Sequence, residues 1–237
     1  IIQHQLEPEI YSFKGLEAFI KLAKAKKLKQ FPIHIKLDTG MHRLGFQESD
    51  IPQLISILTN HTCIKVQSIL SHLAASDDLK LLHFTLKQVA QFETMSTHLI
   101  NALGYTPIRH LLNTSGISNF TTAQYDMVRL GIGLYGVSND VEEQKSLEIV
   151  GTLKSVISQI RTIQKDESVG YGRHFIATKT TKVATIPIGY ADGISRQLGN
   201  ENGYVLIKNK PAKIIGNICM DMLMVNVTDI ECKEGNE

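Results

Sequence analysis

The segment Lys36-Leu-Asp-Thr-Gly-Met-His-Arg-Leu-Gly45 brings a lysine, a carboxylate and an arginine together beside a glycine-containing loop. Just before this loop, apolar residues alternate with polar ones, which is typical of a strand with one buried face. A charged strand face that runs into a loop is typical of the carboxyl-terminal rim of a β/α barrel, where active sites lie. We therefore expect chemistry at Lys36 and Arg43. A plain alternative fits the same spacing, in which Lys36 pairs with Asp38 and Arg43 is a surface residue.

Two further segments could supply the clustered backbone N–H donors that bind a phosphate group. They are Asn113-Thr-Ser-Gly116 and Gly131-Ile-Gly133, and in barrels the loops after the seventh and eighth strands often hold phosphate. Either segment could also be an ordinary turn that uses glycine for its flexibility. A third segment, Gly170-Tyr-Gly172, lets the backbone approach a ligand closely, although by itself it is typical of a tight turn.

The elements that must position these residues follow two different patterns along the chain. Up to about residue 140, short apolar runs alternate with longer amphipathic stretches, which indicates β/α units around a parallel sheet. From Leu79 to Leu99, apolar residues recur every three or four positions and predict a helix capped by Asp77 or Asp78. A closed eight-stranded barrel takes roughly 250 residues, so we expect only part of one. The predicted strands cover 32–38, 64–72, 108–113 and 126–130.

After about residue 145 the helical period disappears, and β-rich runs separated by glycine, asparagine and aspartate turns replace it. We therefore predict two domains, a β/α domain at 1–145 and a mostly β domain at 146–237. The β-rich runs cover 147–164, 182–188, 204–208, 212–218 and 223–227.

Composition excludes several classes of function. The 237 residues are 43% hydrophobic and 20% charged, so the chain can bury a core and is not a disordered or low-complexity protein. The net charge of +2 lacks the basic footprint of a nucleic-acid-binding protein, and no apolar run is long enough for a membrane helix. The first residues have no pattern of a secretion signal, and the three cysteines form neither a disulfide framework nor a metal site. A cytoplasmic protein without a metal is expected.

Seven segments, taken in order, closely resemble motifs of the alanine racemases, enzymes that use pyridoxal phosphate (PLP) and have an N-terminal barrel and a C-terminal β domain. The resemblance covers nearly the whole chain and implies the last four β/α units of an incomplete (β/α)8 barrel followed by a mostly β domain. The segments begin at Lys36 (KLDTGMHRLG), Ser71 (SHLAASD), His110 (HLLNTSG), Val128 (VRLGIGLYG), Val169 (VGYG), Ile186 (IPIGYADG) and Ile218 (ICMD).

The resemblance implies roles for residues of the β/α domain. It makes Lys36 a lysine that is carbamylated in the family, and Arg43 the contact of the substrate carboxylate. Thr114, Gly131 and Ile132 would bind the phosphate of PLP; the family usually has serine at the position of Thr114, and threonine keeps the hydroxyl.

Arg129 and His72 are the other two residues that the resemblance singles out in this domain. Arg129 would lie against the pyridine nitrogen of PLP, where transaminases place a carboxylate, and would leave that nitrogen unprotonated. A less electron-withdrawing ring suppresses transamination. His72 would bridge this arginine to the catalytic tyrosine region, although a structural histidine fits as well.

The resemblance also implies roles in the β domain. Tyr171 would be the catalytic base on one face of the substrate Cα, with cationic neighbours to lower a pKa that is ordinarily near 10. Tyr190 would narrow the substrate entrance, and Met220 with its neighbour Asp221 would contact the substrate. In family members, the residues that match Tyr171 and Met220 act in the site of the partner subunit. A homodimer is therefore implied.

The second base of the family is the lysine that binds PLP covalently. It lies in a segment similar to V-K-A-N-A-Y-G, and no such segment occurs between Ile1 and Glu237. The family's C-terminal tyrosine that contacts phosphate has no match either. We therefore expect the longer parent protein to racemise L- and D-alanine, which supplies D-alanine for peptidoglycan, and this fragment alone to be inactive.

Four alternatives stay open at this point. A PLP-dependent amino-acid decarboxylase has the same architecture but places an acidic residue where this chain has Arg129. A PLP-binding protein without turnover shares the barrel but lacks the β domain, and an assembly module could keep the motifs without activity. A serine or broad-specificity racemase would also have these motifs.

Overall fold

The computed structural model describes residues 1–237. Contacts divide the chain into two compact units, Ile1–Gly151 and Thr152–Glu237. Each unit buries its own apolar residues. The order predicted from the sequence, β/α units followed by a mostly β region, is confirmed. The domain limits 1–145 and 146–237 stay a prediction.

The first unit is built around a parallel four-stranded sheet in the order β1-β2-β3-β4. Apolar side chains of β2, such as Ile33 and Ile35, are fully buried, while His34 and Lys36 between them are half-buried and lie on the other face. The strands are β1 (Glu9–Ile10), β2 (Phe31–Lys36), β3 (Ile64–Leu70) and β4 (Ile108–His110). The helices are α1 (Phe13–Ala25), α2 (Ile51–Thr59), α3 (Leu82–Leu103), α4 (Thr114–Asn119) and α5 (Val141–Gln144).

The strand set differs from the expectation at both of its edges. The predicted strand at 126–130 is wrong, because only an isolated bridge joins Met127 to His110. β4 is three residues long. It therefore offers residues 126–130 too few backbone groups for more than that one bridge. β1 was not predicted, because its two residues are too short for a period of two to be visible.

The predicted helix begins later than expected and turns a different face inward. Leu79–Leu81 form a 3-10 turn in which Asp78 accepts a hydrogen bond from the Lys80 N–H, and α3 follows. In the second half of the helix, apolar side chains such as Phe92 and Leu99 are buried as predicted. In the first half, Leu79, Leu82 and Leu86 are exposed, whereas the polar Thr85 and Gln88 are buried.

The buried polar face of α3 satisfies the backbone of the loop that follows β3. Gln88 Oε1 accepts a hydrogen bond from the Ala74 N–H at 2.9 Å, and its Nε2 donates to the His72 carbonyl at 3.2 Å. Thr85 donates to the Ala75 carbonyl. Backbone groups that are partly or fully shielded from water need such partners, so polar residues replace leucine on this part of the helix. Gln88 therefore fixes the position of His72.

Replacing Gln88 by leucine is expected to lower the free energy of unfolding by about 2 kcal/mol, because two part-buried backbone groups lose their partners. Urea unfolding followed by circular dichroism measures the difference. Gln91→Leu, one position on the same helix without hydrogen-bond partners in the protein, is the matched control. Equal stabilities of the two variants would contradict this role of Gln88.

The second unit contains short antiparallel strands. A three-stranded sheet has the order β11-β8-β5, and two hairpins pair β10 with β9 and β6 with β7. The strands are β5 (Gln159–Ile163), β6 (Ser168–Val169), β7 (Phe175–Ile176), β8 (Thr181–Ile186), β9 (Tyr204–Ile207), β10 (Lys210–Lys213) and β11 (Leu223–Asn226).

Two of the predicted β runs are only partly strands. Of the run 147–164, only β5 is a strand, because its ladder partner β8 begins to pair at Gln159. Of the run 212–218, only the first two residues belong to β10, whose pairing with β9 ends at Lys213. The predicted runs at 182–188, 204–208 and 223–227 are confirmed as strands with small shifts of their ends.

No helix in the structure has the length and apolarity required to cross a bilayer.

Candidate functional site

Lys36 lies at the end of β2 and forms an ion pair with a residue that the sequence did not suggest. Its Nζ is 3.0 Å from Glu9 Oε1, on the neighbouring strand β1. The alternative in which Lys36 pairs with Asp38 is therefore wrong. Asp38 is buried and instead organises the following loop, since Oδ1 accepts hydrogen bonds from the N–H groups of Gly40 and His42. Burial raises the pKa of Asp38, but these bonds and the His42 side chain outweigh it and hold the pKa below its ordinary value.

The loop that carries Arg43 returns to the end of β2. Asp38 N–H donates to the Phe46 carbonyl, and Phe46 N–H donates to the Lys36 carbonyl. Gly45 has a φ of +132°, and a Cβ there would lie 2.6 Å from the Asp38 nitrogen, so only glycine fits. This closure presents Arg43 as an exposed side chain at the rim, with no ion pair in the protein.

Arg129 is half-buried, and backbone carbonyls hold most of its guanidinium. Nη2 donates to the Ser71 carbonyl at 2.5 Å and the Leu111 carbonyl at 3.1 Å, and Nη1 donates to the His110 carbonyl at 3.1 Å. Nη1 also lies 2.6 Å from His110 Nδ1. The Nε donor has no partner in the protein. The guanidinium is therefore fixed in orientation while one N–H stays available to a ligand.

His110 contacts the arginine as an acceptor. Because guanidinium only donates, His110 Nδ1 must carry a lone pair, and the imidazole is neutral. Burial, together with the charge of Arg129, lowers the pKa of His110 to about 4.

The buried neutral His110 predicts a loss of stability in acid. Its pKa in the folded chain is about 4, below the ordinary 6.5, so the unfolded chain takes up the proton first. The free energy of unfolding therefore has its full value above about pH 6.5. It falls by at most about 3 kcal/mol as the pH decreases toward 4. Urea unfolding at pH 7 and pH 5 measures this loss, and His110→Gln should show less of it. Parallel pH dependence of the two proteins would contradict the assignment.

His72 lies at the end of β3, within the same cluster of charges. Its Nδ1 is 3.5 Å from Arg129 Nη2. Burial and the positive charges of Arg129, Arg43 and Lys36 lower the pKa of His72, and Glu9 opposes them. The structure therefore gathers Lys36, Arg43, His72 and Arg129 on one rim of the sheet, as the sequence predicts for a site.

The two glycine-containing segments meet in the structure. Thr114 Oγ1 accepts hydrogen bonds from the Gly131 N–H at 3.0 Å and the Gly133 N–H at 3.2 Å. A Cβ on Gly133 would lie 2.6 Å from the Thr114 methyl carbon, so this contact requires glycine. The Ile132 N–H has no acceptor in the protein and is available to a ligand. Thr114, Gly131 and Ile132 thus form one small cradle, in which the Ile132 N–H and the Thr114 hydroxyl hydrogen are the donors left for a ligand.

In the second unit, three loops meet at one edge. The Tyr190 N–H donates to the Cys219 carbonyl, and the Ala191 N–H donates to the Met220 carbonyl, both at 3.0 Å. The Asn217 side chain donates to the Tyr171 carbonyl at 2.9 Å. The side chains of Tyr171, Tyr190 and Met220 stay 75%, 45% and 54% exposed, and Asp221 next to them is exposed as well. The edge therefore presents these side chains to a ligand or partner.

Neither of two cavities in the units contains a predicted site residue. One, of about 690 Å³, lies in the second unit between β8, β9 and β11, and the other, of about 520 Å³, lies in the first unit beside α3. The predicted site residues lie outside both cavities.

Sequence reasoning missed several polar residues of the first unit that contact the site. Glu9, Ser68 and His110 do not stand out individually, and only the pairing of the strands brings them beside Lys36 and Arg129. One sequence feature could have pointed to these residues. His34 and Lys36 lie on the same face of β2, and two polar side chains on one strand face indicate polar neighbours on the adjacent strands.

Comparison with known proteins decides which family these features belong to. Residues 1–139 match the family model described as alanine racemase, N-terminal domain, and residues 150–237 match alanine racemase, C-terminal domain. The chain belongs to the alanine racemase family. The resemblance found in the motifs is confirmed, and with it the fold class of barrel units followed by a mostly β domain.

Individual alanine racemases match over most of the chain. That of Fusobacterium nucleatum is 40% identical over 198 residues, which are 82% of this chain and 54% of that protein. The solved alanine racemase of Streptomyces coelicolor has a TM-score of 0.91 at 27% identity and covers 99% of this chain and 62% of its own. That of Bartonella henselae, solved with covalently bound pyridoxal phosphate, has a TM-score of 0.81 at 32% identity, with coverages of 99% and 63%. The chain thus spans about 60% of the length of these relatives.

Proposed function

We propose that this chain carries the greater part of the active site of a PLP-dependent alanine racemase that interconverts L- and D-alanine. The observation that carries the proposal is Arg129, whose guanidinium is held by three carbonyls and His110 while its Nε stays available. A PLP-dependent decarboxylase of this architecture needs an acidic residue at that position. The arginine therefore favours racemisation.

The residues present fit the cofactor. The cradle of Thr114, Gly131 and Ile132 offers a hydroxyl and a free N–H to a phosphate group. Arg129 offers a fixed donor to a ring nitrogen and, as a permanent cation, keeps that nitrogen from binding a proton. When bound, PLP withdraws electrons from the substrate and makes the hydrogen on its Cα acidic.

The remaining roles belong to side chains of this chain. Arg43 at the rim would bind the substrate carboxylate through its guanidinium fork. His72 beside Arg129 would stay neutral near pH 7, because burial and three cations lower its pKa. Tyr171 would exchange a proton with one face of the substrate Cα, Tyr190 would restrict the substrate entrance, and Met220 with Asp221 would contact the substrate.

We further propose a cytoplasmic homodimer in which each subunit lends its β-domain edge to the site of the other. Support comes from the exposure of Tyr171, Tyr190 and Met220 together at one edge of the second unit. The near-zero net charge of +2 fits an enzyme that acts on small metabolites. Sedimentation of the full-length protein tests the dimer.

Whether Lys36 is carbamylated is open to a direct measurement. Carbamylation consumes a neutral amine and CO₂ and releases a proton, so the product is an anion. In the structure, Lys36 Nζ lies 3.0 Å from the Glu9 carboxylate, whose negative charge would repel a carbamate. Carbon-13 NMR in labelled bicarbonate reports the carbamate carbon of Lys36 directly.

The chain of Ile1 to Glu237, supplied with PLP, is expected to show no racemisation of alanine. Racemisation needs a base on each face of Cα, and no segment here resembles that of the lysine base. Borohydride trapping followed by mass spectrometry, with chiral analysis of alanine, checks this. A trapped PLP adduct with turnover would contradict it.

In the full-length protein, a panel of alanine, serine and basic amino acids then tests the proposed function, and CO₂ release would favour the decarboxylase.

A further inference from the structure

A continuous line of hydrogen bonds runs from Arg129 across the sheet to the surface, beyond the arginine–histidine contact. His110 Nε2 lies 2.9 Å from Ser68 Oγ, and Ser68 Oγ lies 2.6 Å from His34 Nδ1. His34 Nε2 lies 2.9 Å from Glu7 Oε2. Each of the neighbouring strands β2, β3 and β4 contributes one side chain. The line joins a half-buried cation to an exposed carboxylate.

The direction of every proton in this line follows from its first member. Arg129 only donates, so His110 Nδ1 accepts and His110 Nε2 must carry the hydrogen that Ser68 Oγ accepts. Ser68 is 1% exposed, and its hydroxyl contacts only the two histidines. Its own hydrogen must therefore go to His34 Nδ1, since a buried hydroxyl without an acceptor is costly.

The same reasoning extends to the last member. With Nδ1 as acceptor, neutral His34 carries its hydrogen on Nε2 and donates it to Glu7, which only accepts. Both histidines are then neutral and protonated on Nε2. A proton added to His110 Nδ1 would face the Arg129 N–H at 2.6 Å, and the two donors would repel each other.

We propose that Ser68, His34 and Glu7 are positioning residues for Arg129, which act by holding His110 in the tautomer and orientation that accept from the guanidinium. The line leaves the Arg129 Nε as the donor directed to a ligand. The consequence for the cofactor rests on the proposed function. The hydrogen-bond line itself is tested on the chain without PLP, so that the two proposals fail or hold independently.

Nitrogen-15 NMR of the labelled full chain tests the proposal through histidine tautomers and the exchange of the Arg129 Nε–H with solvent. At neutral pH, His34 and His110 are expected as single Nε2–H tautomers. In Ser68→Ala, His34 should become a mixture of tautomers and the Arg129 N–H should exchange about five- to tenfold faster. Ser96→Ala, another fully buried serine, which lies on α3 and donates only to the Glu93 carbonyl, should change neither signal.

Because the Ser68 variant removes a buried group, two surface variants at Glu7 provide a second test that does not depend on it. Glu7→Gln keeps an oxygen that accepts from His34 and should preserve the tautomers. Glu7→Lys replaces the acceptor by a donor and should remove the Nε2–H tautomer of His34 and accelerate the Arg129 exchange. A doubly protonated or Nδ1–H His34 in the unmodified chain, or equal effects of both Glu7 variants, would overturn the proposal.

Discussion

Replacing Arg129 by glutamine in the full-length protein is expected to lower the rate of racemisation by about 10²- to 10³-fold, the usual cost of losing a fixed charged donor in a site. Glutamine donates two hydrogen bonds at most and carries no charge. The Ser71, His110 and Leu111 carbonyls therefore lose partners, and no group keeps the ring nitrogen of the cofactor unprotonated. Chiral analysis of alanine measures the rate.

A second readout separates this chemistry from a general loss of structure. If Arg129 keeps the ring nitrogen unprotonated, Arg129→Glu should raise the ratio of pyruvate formation to racemisation, because a protonated ring favours transamination. Unfolding measurements should show a loss of about 2 to 3 kcal/mol for Arg129→Gln from the unpaired carbonyls. The control is Arg161→Gln, an exposed arginine on β5. Unchanged racemisation in Arg129→Gln would remove this residue from its role.

Tyr171→Phe in the full-length protein is expected to slow racemisation by about 10²- to 10⁴-fold, which is the contribution of a positioned general base. The phenylalanine ring keeps the size and lacks only the hydroxyl. The side chain is 75% exposed, so stability should hardly change. PLP absorbance should show that the cofactor still binds, because the proposed phosphate cradle lies in the other unit.

The control for Tyr171 is Tyr204→Phe, a tyrosine of the same unit that is 59% exposed and lies on β9. It should leave both activity and stability unchanged. Proton transfer gives a more specific readout, since Tyr171→Phe should slow exchange of the substrate Cα hydrogen with solvent for one enantiomer more than for the other. Equal rates for the variant and the unmodified protein would exclude Tyr171 as a base.

Much of the site was visible in the sequence because its motifs are local. The spacing of Lys36, Asp38 and Arg43 predicts a strand that ends in a charged loop, and the structure has that strand and that loop. The glycines at 131 and 133 predict close backbone contact, which occurs with Thr114. In each case the geometry depends on a few consecutive residues, which local steric rules describe well.

Other features were not predictable, because they depend on which strands and helices become neighbours. The partner of Lys36 is Glu9 on β1, a two-residue strand without a detectable pattern. The inward face of α3 is polar at Gln88 because the loop after β3 needs hydrogen-bond partners there. Hydrophobic periodicity predicts which helix face is buried against apolar side chains. It gives the wrong face where the helix packs against the polar backbone of a loop.

The sequence by itself determined the order of the two domains and the family, and it named candidate residues for binding PLP and substrate. Those properties are written in residue types and short spacings. The tertiary structure alone decided that His34, Ser68 and His110 join into one line behind Arg129, and that Lys36 pairs with Glu9. The physical reason is that hydrogen bonds and ion pairs act over about 3 Å, and only the pairing of the parallel strands brings residues so distant in sequence within that range.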